Sequence, residues 1–356
     1  MGETIPTWKP TCNSSVSVQL SNRQTSSDSG ALLLREVLDH SGVIEQLEDQ
    51  LVDSRDPARV KHSLACQLRT LLIQPAQGWD DLNDTEILHA DPVLKLACSE
   101  QRSTTPLEQS RPSQPTLSRT INLLAEDANL PVLHESLLKL TAWRLATMHN
   151  GRPPKTLTLD VDGLPIEVFG QQTGTEWSGY LGYRHYSPLV ASIAETGDMV
   201  GGLLRRGNVG NAAEADHWIP HLVRRLKNTT GSQVRVRFDA GFTGDRTLRA
   251  LEEKNIEYVG RITGNSALQR LAEPYLRRPP GRPPTEPREW CHELYYKATD
   301  WKEPRKIILV VREVPGELFL RYFFLVTNLC WKSYPRARMF CGSIASVVRQ
   351  RDTWAS

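Results

Sequence analysis

At 356 residues with 39% apolar content, the chain can bury a sizeable core and hold two domains or one large domain with insertions. No apolar run approaches the roughly 20 residues a membrane span requires, and residues 1–10 are too polar for a secretory signal, so a cytoplasmic protein with no membrane partner is expected. The net charge of +2 hides an asymmetry: residues 1–150 hold 13 Lys+Arg against 19 Asp+Glu, a net of −6, whereas residues 151–356 hold 30 against 22, a net of +8, which suits a site for polyanions.

Residues 1–27, rich in Ser, Thr, Asn and Gln, are expected to form a disordered leader. Residues 28–150 then carry helical periodicity. Leu34, Val37 and Leu38, followed by Ile44, Leu47 and Leu51, recur at three- and four-residue spacing, with Gly42 as the break. Asp56 before Pro57 predicts a helix running on through Val60, Leu64, Leu68 and Leu72. A Ser/Thr/Pro/Gln loop at 99–115 leads into a helix whose first residues include Thr116, Ser118 and Arg119. Small hydroxyls and a cation there fit a DNA-contacting face; an ordinary capped helix is the alternative. Leu133, Leu137 and Leu140 mark the amphipathic helix that closes this α-helical, DNA-binding candidate region.

From residue 151 the pattern changes. Residues 156–162 read as a strand with Thr158, Asp160 and Asp162 on one face. Two like charges side by side require either a neutralising cation, such as a divalent metal, or a solvated strand end with a cap on the Gly163 turn. Residues 166–169 extend towards a hairpin arm. Residues 188–193 and 199–204 read as two strands, with Arg205 and Arg206 directly after the second. Residues 212–226 are predicted helical, 234–239 a strand, 245–254 a helix and 256–262 a strand. That order is the order of an RNase H-like mixed sheet with helices, an α/β fold in which the first and fourth strands are neighbours. Asp160 and Asp162 on the first strand and Asp239 at the end of the fourth would then converge.

Residues 274–287 contain six prolines with Arg277, Arg278 and Arg282, which predicts a basic surface linker or, less simply, a minor-groove hook at 280–283. Strands at 293–297, 306–312 and 318–326 predict a β-rich insertion, at about 263–305, and a return to the core by residue 331. The six cysteines are scattered, with no Cys-x-x-Cys pair and no zinc spacing, and are expected as free thiols in a reducing compartment. Carboxylates on neighbouring strand ends are hard oxygen ligands for Mg²⁺ or Mn²⁺, which also accept phosphate oxygens. Two such ions about 3.5–4 Å apart can drive phosphodiester cleavage or strand transfer.

On these residues the chain resembles bacterial DDE-type insertion-sequence transposases. The resemblance is carried by Leu159-Asp160-Val161-Asp162, Gly170-Gln171-Gln172, the Gly/Tyr segment 179–183, Leu204-Arg205-Arg206-Gly207-Asn208-Val209, Arg237-Phe238-Asp239-Ala240-Gly241-Phe242 and the segment 327–331, with further agreement at 56–64, 84–92 and 113–119. It implies that Asp162 and Asp239 are catalytic, metal-binding acids, with Asp160 the alternative for the first. It also implies Mg²⁺ or Mn²⁺ as cofactor, transposon terminal inverted repeats and target DNA as partners contacted by Arg119, Ser118, Thr116, Arg205 and Arg206, and a homodimer for the intact family member. The family's third acid is a Glu in the pattern Tyr, two residues, Arg, three residues, Glu, six residues, Lys, and this pattern is missing from the chain. A shifted reading frame across 337–356 is compatible with its first part, so residues 332–356 are expected to be a frameshifted tail of a truncated transposase that is catalytically inactive. Two other functions compete: an active metal-dependent nuclease on the same fold, with Glu313 or Glu317 as the nearest substitute acids, and a non-catalytic DNA-binding protein.

Overall fold

The computed structural model describes residues 26–101, 105–282 and 284–329, together with two short strands, β1 (Thr7–Trp8) and β2 (Val18–Gln19), which pair antiparallel. Most of the expected leader and all of the expected tail at 332–356 lie outside the described residues. The chain divides into two compact units, Met1–Ser136 and Leu137–Ser356.

The first unit is helical. α1 (Gly30–Ser41) and α2 (Val43–Gln50) meet at Gly42, whose φ of 65° is a left-handed conformation that glycine adopts without a Cβ penalty. The helix expected from Asp56 is interrupted. Asp56 accepts a hydrogen bond from Ala58 N and caps only a 3₁₀ turn, Pro57–Arg59; Val60 is extended, and α3 (Leu64–Ala76) starts afresh at Ser63, which caps Cys66 N at 3.1 Å. Then come α4 (Asp84–Ile87), α5 (Pro92–Cys98), α6 (Thr105–Glu108), α7 (Gln114–Leu124) and the start of α8 (Leu130–Met148). Ala31, Ile73, Leu88, Leu94, Ala97 and Cys98 form a buried cluster. Asn129 is fully buried and latches the chain by accepting from Val52 N at 2.8 Å and donating to Leu123 O at 2.9 Å.

The second unit is built on an eight-stranded mixed sheet of order β11-β12-β13-β10-β9-β3-β7-β8. Its strands are β3 (Thr156–Gly163), β7 (Leu189–Ile193), β8 (Met199–Leu203), β9 (Gln233–Phe238), β10 (Glu257–Ile262), β11 (Arg288–Tyr296), β12 (Arg305–Glu313) and β13 (Arg321–Thr327). β7 runs antiparallel to β3, whereas β9 pairs parallel with β3 and with β10, which is the RNase H-like order expected. β13 pairs antiparallel with β10, so the last three strands extend the same sheet. A separate three-stranded sheet joins β4 (Ile166–Glu167), β6 (Tyr183–Tyr186) and β5 (Glu176–Ser178).

Helices α9 (Ala215–Thr230), α10 (Asp245–Glu253) and α11 (Ser266–Ala272) bury Ile219, Leu226, Leu248, Leu251 and Leu268 in one cluster with Leu157, Leu159, Val161, Val236 and Phe238 of the sheet. Burial of alternate residues on β3 and β9 commits their intervening side chains to the opposite face. Arg305 ties β12 to α10 by donating to Glu252 Oε1 at 2.8 Å and Asp245 Oδ1 at 2.9 Å. No described helix is long and apolar enough to cross a membrane. Cys66 and Cys98 are free thiols as expected, whereas Cys291 is disulfide-bonded, a departure from that expectation.

Candidate active site

Parallel pairing of β3 and β9 determines where the acids go. Leu159 lies opposite Val236, Asp160 opposite Arg237 and Val161 opposite Phe238. The paired register ends there, and Asp162 and Asp239 are the next residues, at the C-terminal ends of two adjacent parallel strands. Because Leu159, Val161, Val236 and Phe238 point into the helix-covered core, Asp160, Asp162 and Arg237 share the other face of the strands, and Asp239 follows directly after β9.

The two acids of β3 are not equivalent. Arg237 is buried and grips both carboxylate oxygens of Asp160 through Nε and Nη2. The charge of Asp160, for which a metal ion was one expected neutraliser, is therefore met by a guanidinium from the neighbouring strand, and its oxygens are committed. Asp162 lies at the strand end, where Oδ1 accepts from Gly163 N at 2.9 Å. Asp239 caps the 3₁₀ turn Ala240–Phe242 and accepts from Gly241 N at 2.9 Å. Phe242 anchors that turn in the core, and Trp301 Nε1 donates to Thr243 O at 2.9 Å just beyond it.

Arg205 departs from expectation. It is 3% exposed and its donors are taken by backbone carbonyls: Nε by Ser187 O at 2.7 Å, and Nη1 by Ala213 O at 2.7 Å and Asn211 O at 3.0 Å. Burial also pulls its pKa downward. It braces the loop after β8 and presents no charge to solvent. That loop carries Asn211, which packs so closely on Gly241 that a Cβ there would lie 2.9 Å from Asn211 Nδ2 and 3.1 Å from Asp239 Oδ1. The two sequence segments 204–209 and 237–242 thus support one site. Arg206 is exposed. In the first unit, Arg119 is exposed on α7, while Ser118 and Thr116 are half-buried.

A cleft of about 390 Å³ adjoins the turn, lined by Ala240, Thr263, Gly264, Gln269 and aromatic residues of β13. Arg261 on β10 also lines it. Arg261 follows Gly260, the register partner of Phe238, and its guanidinium lies 5.8 Å from the Phe323 ring centre. Residue alternation in Arg235-Val236-Arg237-Phe238-Asp239 was the signal for the Asp160 partner: its cations fall in register with Thr158 and Asp160. Asn211 had no comparable signal, because a loop brings it against the turn that Asp239 caps.

The chemistry of the donors fits a divalent ion. Two half-exposed carboxylates on adjacent strand ends offer the hard oxygens that Mg²⁺ or Mn²⁺ prefers, and Mg²⁺ is commonly held by one or two carboxylates with waters and substrate phosphates. Among the described residues no group of three Asp, Glu, His or Cys side chains forms a metal cluster. The nearest sequence candidates for a third acid are engaged: Glu313 is buried and pairs with Arg288 at 2.6 Å, and Glu317 pairs with Arg321.

No curated protein matches the chain. Among solved structures it is similar to a piggyBac transposase synaptic complex with hairpin DNA, at 13% identity and a TM-score of 0.34, covering 89% of this chain and 56% of that one. The chain thus spans little more than half of that transposase. The profile of the transposase DDE domain group 1 family matches residues 9–340, nearly the whole sequence, and the chain belongs to that family.

Proposed function

We propose that this chain is a DNA transposase whose metal site rests on Asp162 and Asp239, and that these 356 residues cut DNA weakly or not at all, because no third carboxylate joins the two among the described residues. The observation that supports the reading is the parallel register of β3 and β9, the two neighbouring strands that end at Asp162 and Asp239, in a chain of the transposase DDE family. Asp162 and Asp239 would hold a Mg²⁺ or Mn²⁺ ion, which would supply charge neutralisation at the scissile phosphate and activation of the attacking hydroxyl. The chain's own groups supply position. Gly163 and Gly241 N–H groups orient the two carboxylates, and Arg237 keeps Asp160 from competing for the ion. Transposon ends and target DNA are the substrates this chemistry implies, and we assign the exposed Arg119 and Arg206 to contact them.

Two carboxylates position an ion less firmly than three. The engagement of Glu313 and Glu317 in ion pairs favours weak cleavage over a nuclease that recruits its own third acid. The test combines Mn²⁺ binding, read by electron paramagnetic resonance, with cleavage of duplexes taken from the DNA flanking the coding sequence. Asp162→Asn and Asp239→Asn are each expected to weaken Mn²⁺ binding by about 10-fold or more, while the parent cuts no more DNA than either variant. Robust cleavage that both variants abolish would establish an active nuclease or transposase instead. Equal Mn²⁺ binding by parent and variants would refute the site.

A further inference from the structure

The connection between β11 and β12, residues 297–304, is longer than the roughly two to five residues a tight hairpin needs. Its extra length carries Trp301 back to the helix-covered core, where the side chain is buried in the cluster that contains Phe238 and Phe242. Three neighbours set the plane of the indole. Ala298 O accepts from Trp301 N at 3.1 Å and closes the loop into a turn. The Tyr296 ring meets the indole edge-on at 5.8 Å, and the Arg305 guanidinium lies over it, 5.1 Å from the ring centre.

Held in this way, the indole aims its one polar atom at the turn after β9. A buried indole N–H needs an acceptor, and Nε1 finds Thr243 O at 2.9 Å. Thr243 closes that turn: its hydroxyl donates to Ala240 O at 2.9 Å, and Ala240 opens the 3₁₀ segment that Asp239 caps. The residues after Trp301 grip the same region. Lys302 N and Arg305 Nη1 both donate to Asp245 Oδ1, at 3.1 and 2.9 Å, on the first residue of α10. The segment 239–245 is therefore fixed by β9 at one end and by Trp301, Lys302 and Arg305 at the other. Asp239 and Gly241 lie within that span, and the 2.9 Å bond from Gly241 N to Asp239 Oδ1 takes its direction from both ends.

We propose that Trp301 is a positioning residue for Asp239, through which the β11–β12 hairpin holds the acid-bearing turn for a divalent ion. It acts through Thr243 and the Gly241 N–H, and the inference rests on the reading of Asp239 as a metal ligand. Its role differs from ordinary core packing in one respect. Removing the indole N–H while keeping an aromatic ring disturbs the turn more than the fold.

The test uses the full chain. Trp301→Phe is expected to weaken Mn²⁺ binding, read by electron paramagnetic resonance, by about 3- to 10-fold, at or below the range for groups that directly support a metal ligand. Hydrogen exchange of the metal-free chain, read by mass spectrometry, is expected to quicken about 10-fold over residues 239–245, as loss of one hydrogen bond allows. Leu145→Ala, in the same core cluster but on α8, is the control for lost stability: it is expected to lower the melting temperature and leave both readouts unchanged. Parent-like Mn²⁺ affinity or parent-like exchange in Trp301→Phe, or equal losses in Trp301→Phe and Leu145→Ala, overturns the proposal. Should Trp301→Phe not fold, Asp245→Asn loosens the same grip at Lys302 N and Arg305; its expected loss of Mn²⁺ affinity is about 3-fold, and parent-like affinity overturns the proposal. If Asp239→Asn itself leaves Mn²⁺ binding unaltered, the metal reading fails and this inference falls with it. If Asp239→Asn weakens binding and Trp301→Phe does not, the inference alone falls.

Discussion

Arg237 holds Asp160 in a place where a lone carboxylate would be costly. Its own side chain is 6% exposed and that of Asp160 20%, so the pair belongs with buried ion pairs, in which removal of one partner strands the other. Arg237→Gln is expected to cost about 2–3 kcal/mol, somewhat less than a fully buried pair because Asp160 keeps some access to water. Urea unfolding checks this, and a loss below about 0.5 kcal/mol would place the pair among surface salt bridges. Addition of Asp160→Asn should recover part of the loss, since it removes the stranded charge. Gly241 works at the same scale on the other acid. A methyl group there meets Asn211 Nδ2 at 2.9 Å and Asp239 Oδ1 at 3.1 Å, side-chain atoms that can yield only by moving. Gly241→Ala is expected to lower Mn²⁺ affinity about 3- to 10-fold through the displaced carboxylate, by analogy with the loss of other supporting contacts at metal sites. Unaltered metal binding in a folded variant would show that Asp239 is not held by this turn.

At the scale of elements, the connection after β8 shows why a short motif spans a structural joint. Gly207 N donates to Gly174 O at 3.0 Å, and a Cβ on Gly207 would lie 2.2 Å from His185 O on β6 and 2.8 Å from Glu176 N on β5. Both obstacles are backbone, so a side-chain rotation cannot relieve them. Gly207→Ala must separate the connection from the three-stranded sheet, at an expected cost of about 2–3 kcal/mol. A melting temperature within a degree of the parent's, in a scan of both proteins under one condition, would contradict this contact. The strand β10 is constrained similarly at Gly260, where an added Cβ would come 2.2 Å from the Phe238 ring. The obstacle there is a side chain, so part of the strain can relax.

For the whole molecule, burial as the leading cause lowers the pKa of His62, His221 and His292 from 6.5. Their unfolded forms therefore bind protons at higher pH than the folded forms. Stability that these groups leave intact above 6.5 is lost as pH falls through the lowered folded values. The urea midpoint is expected to be lower at about pH 5.5 than at about pH 7.5. Replacing the three histidines by Asn or Gln should shrink that difference, and a midpoint that rises on acidification would contradict the sign. Asp53 and Asp245, both with lowered pKa values, add a further loss only below about 3.8, so the two effects separate on the pH axis.

Local chemistry in the sequence determined the alternation of β3, the Gly42 break, the strand–helix order from β3 to β10 and the carboxylates at the two strand ends. Each depends on side-chain periodicity or on a residue's own backbone preference, which a linear reading contains. The helix expected at Asp56 failed because an Asp-Pro start is compatible with one 3₁₀ turn as well as with a long helix, and Val60 and Ser63 decided between them. Tertiary structure alone decided the partners of the charges. Asp160 met Arg237 through strand register, and Arg205 turned inward because four carbonyl groups surround it. The physical reason is range: backbone preference acts over a few residues, whereas the fate of a charge depends on every group that folding brings within a few ångströms of it.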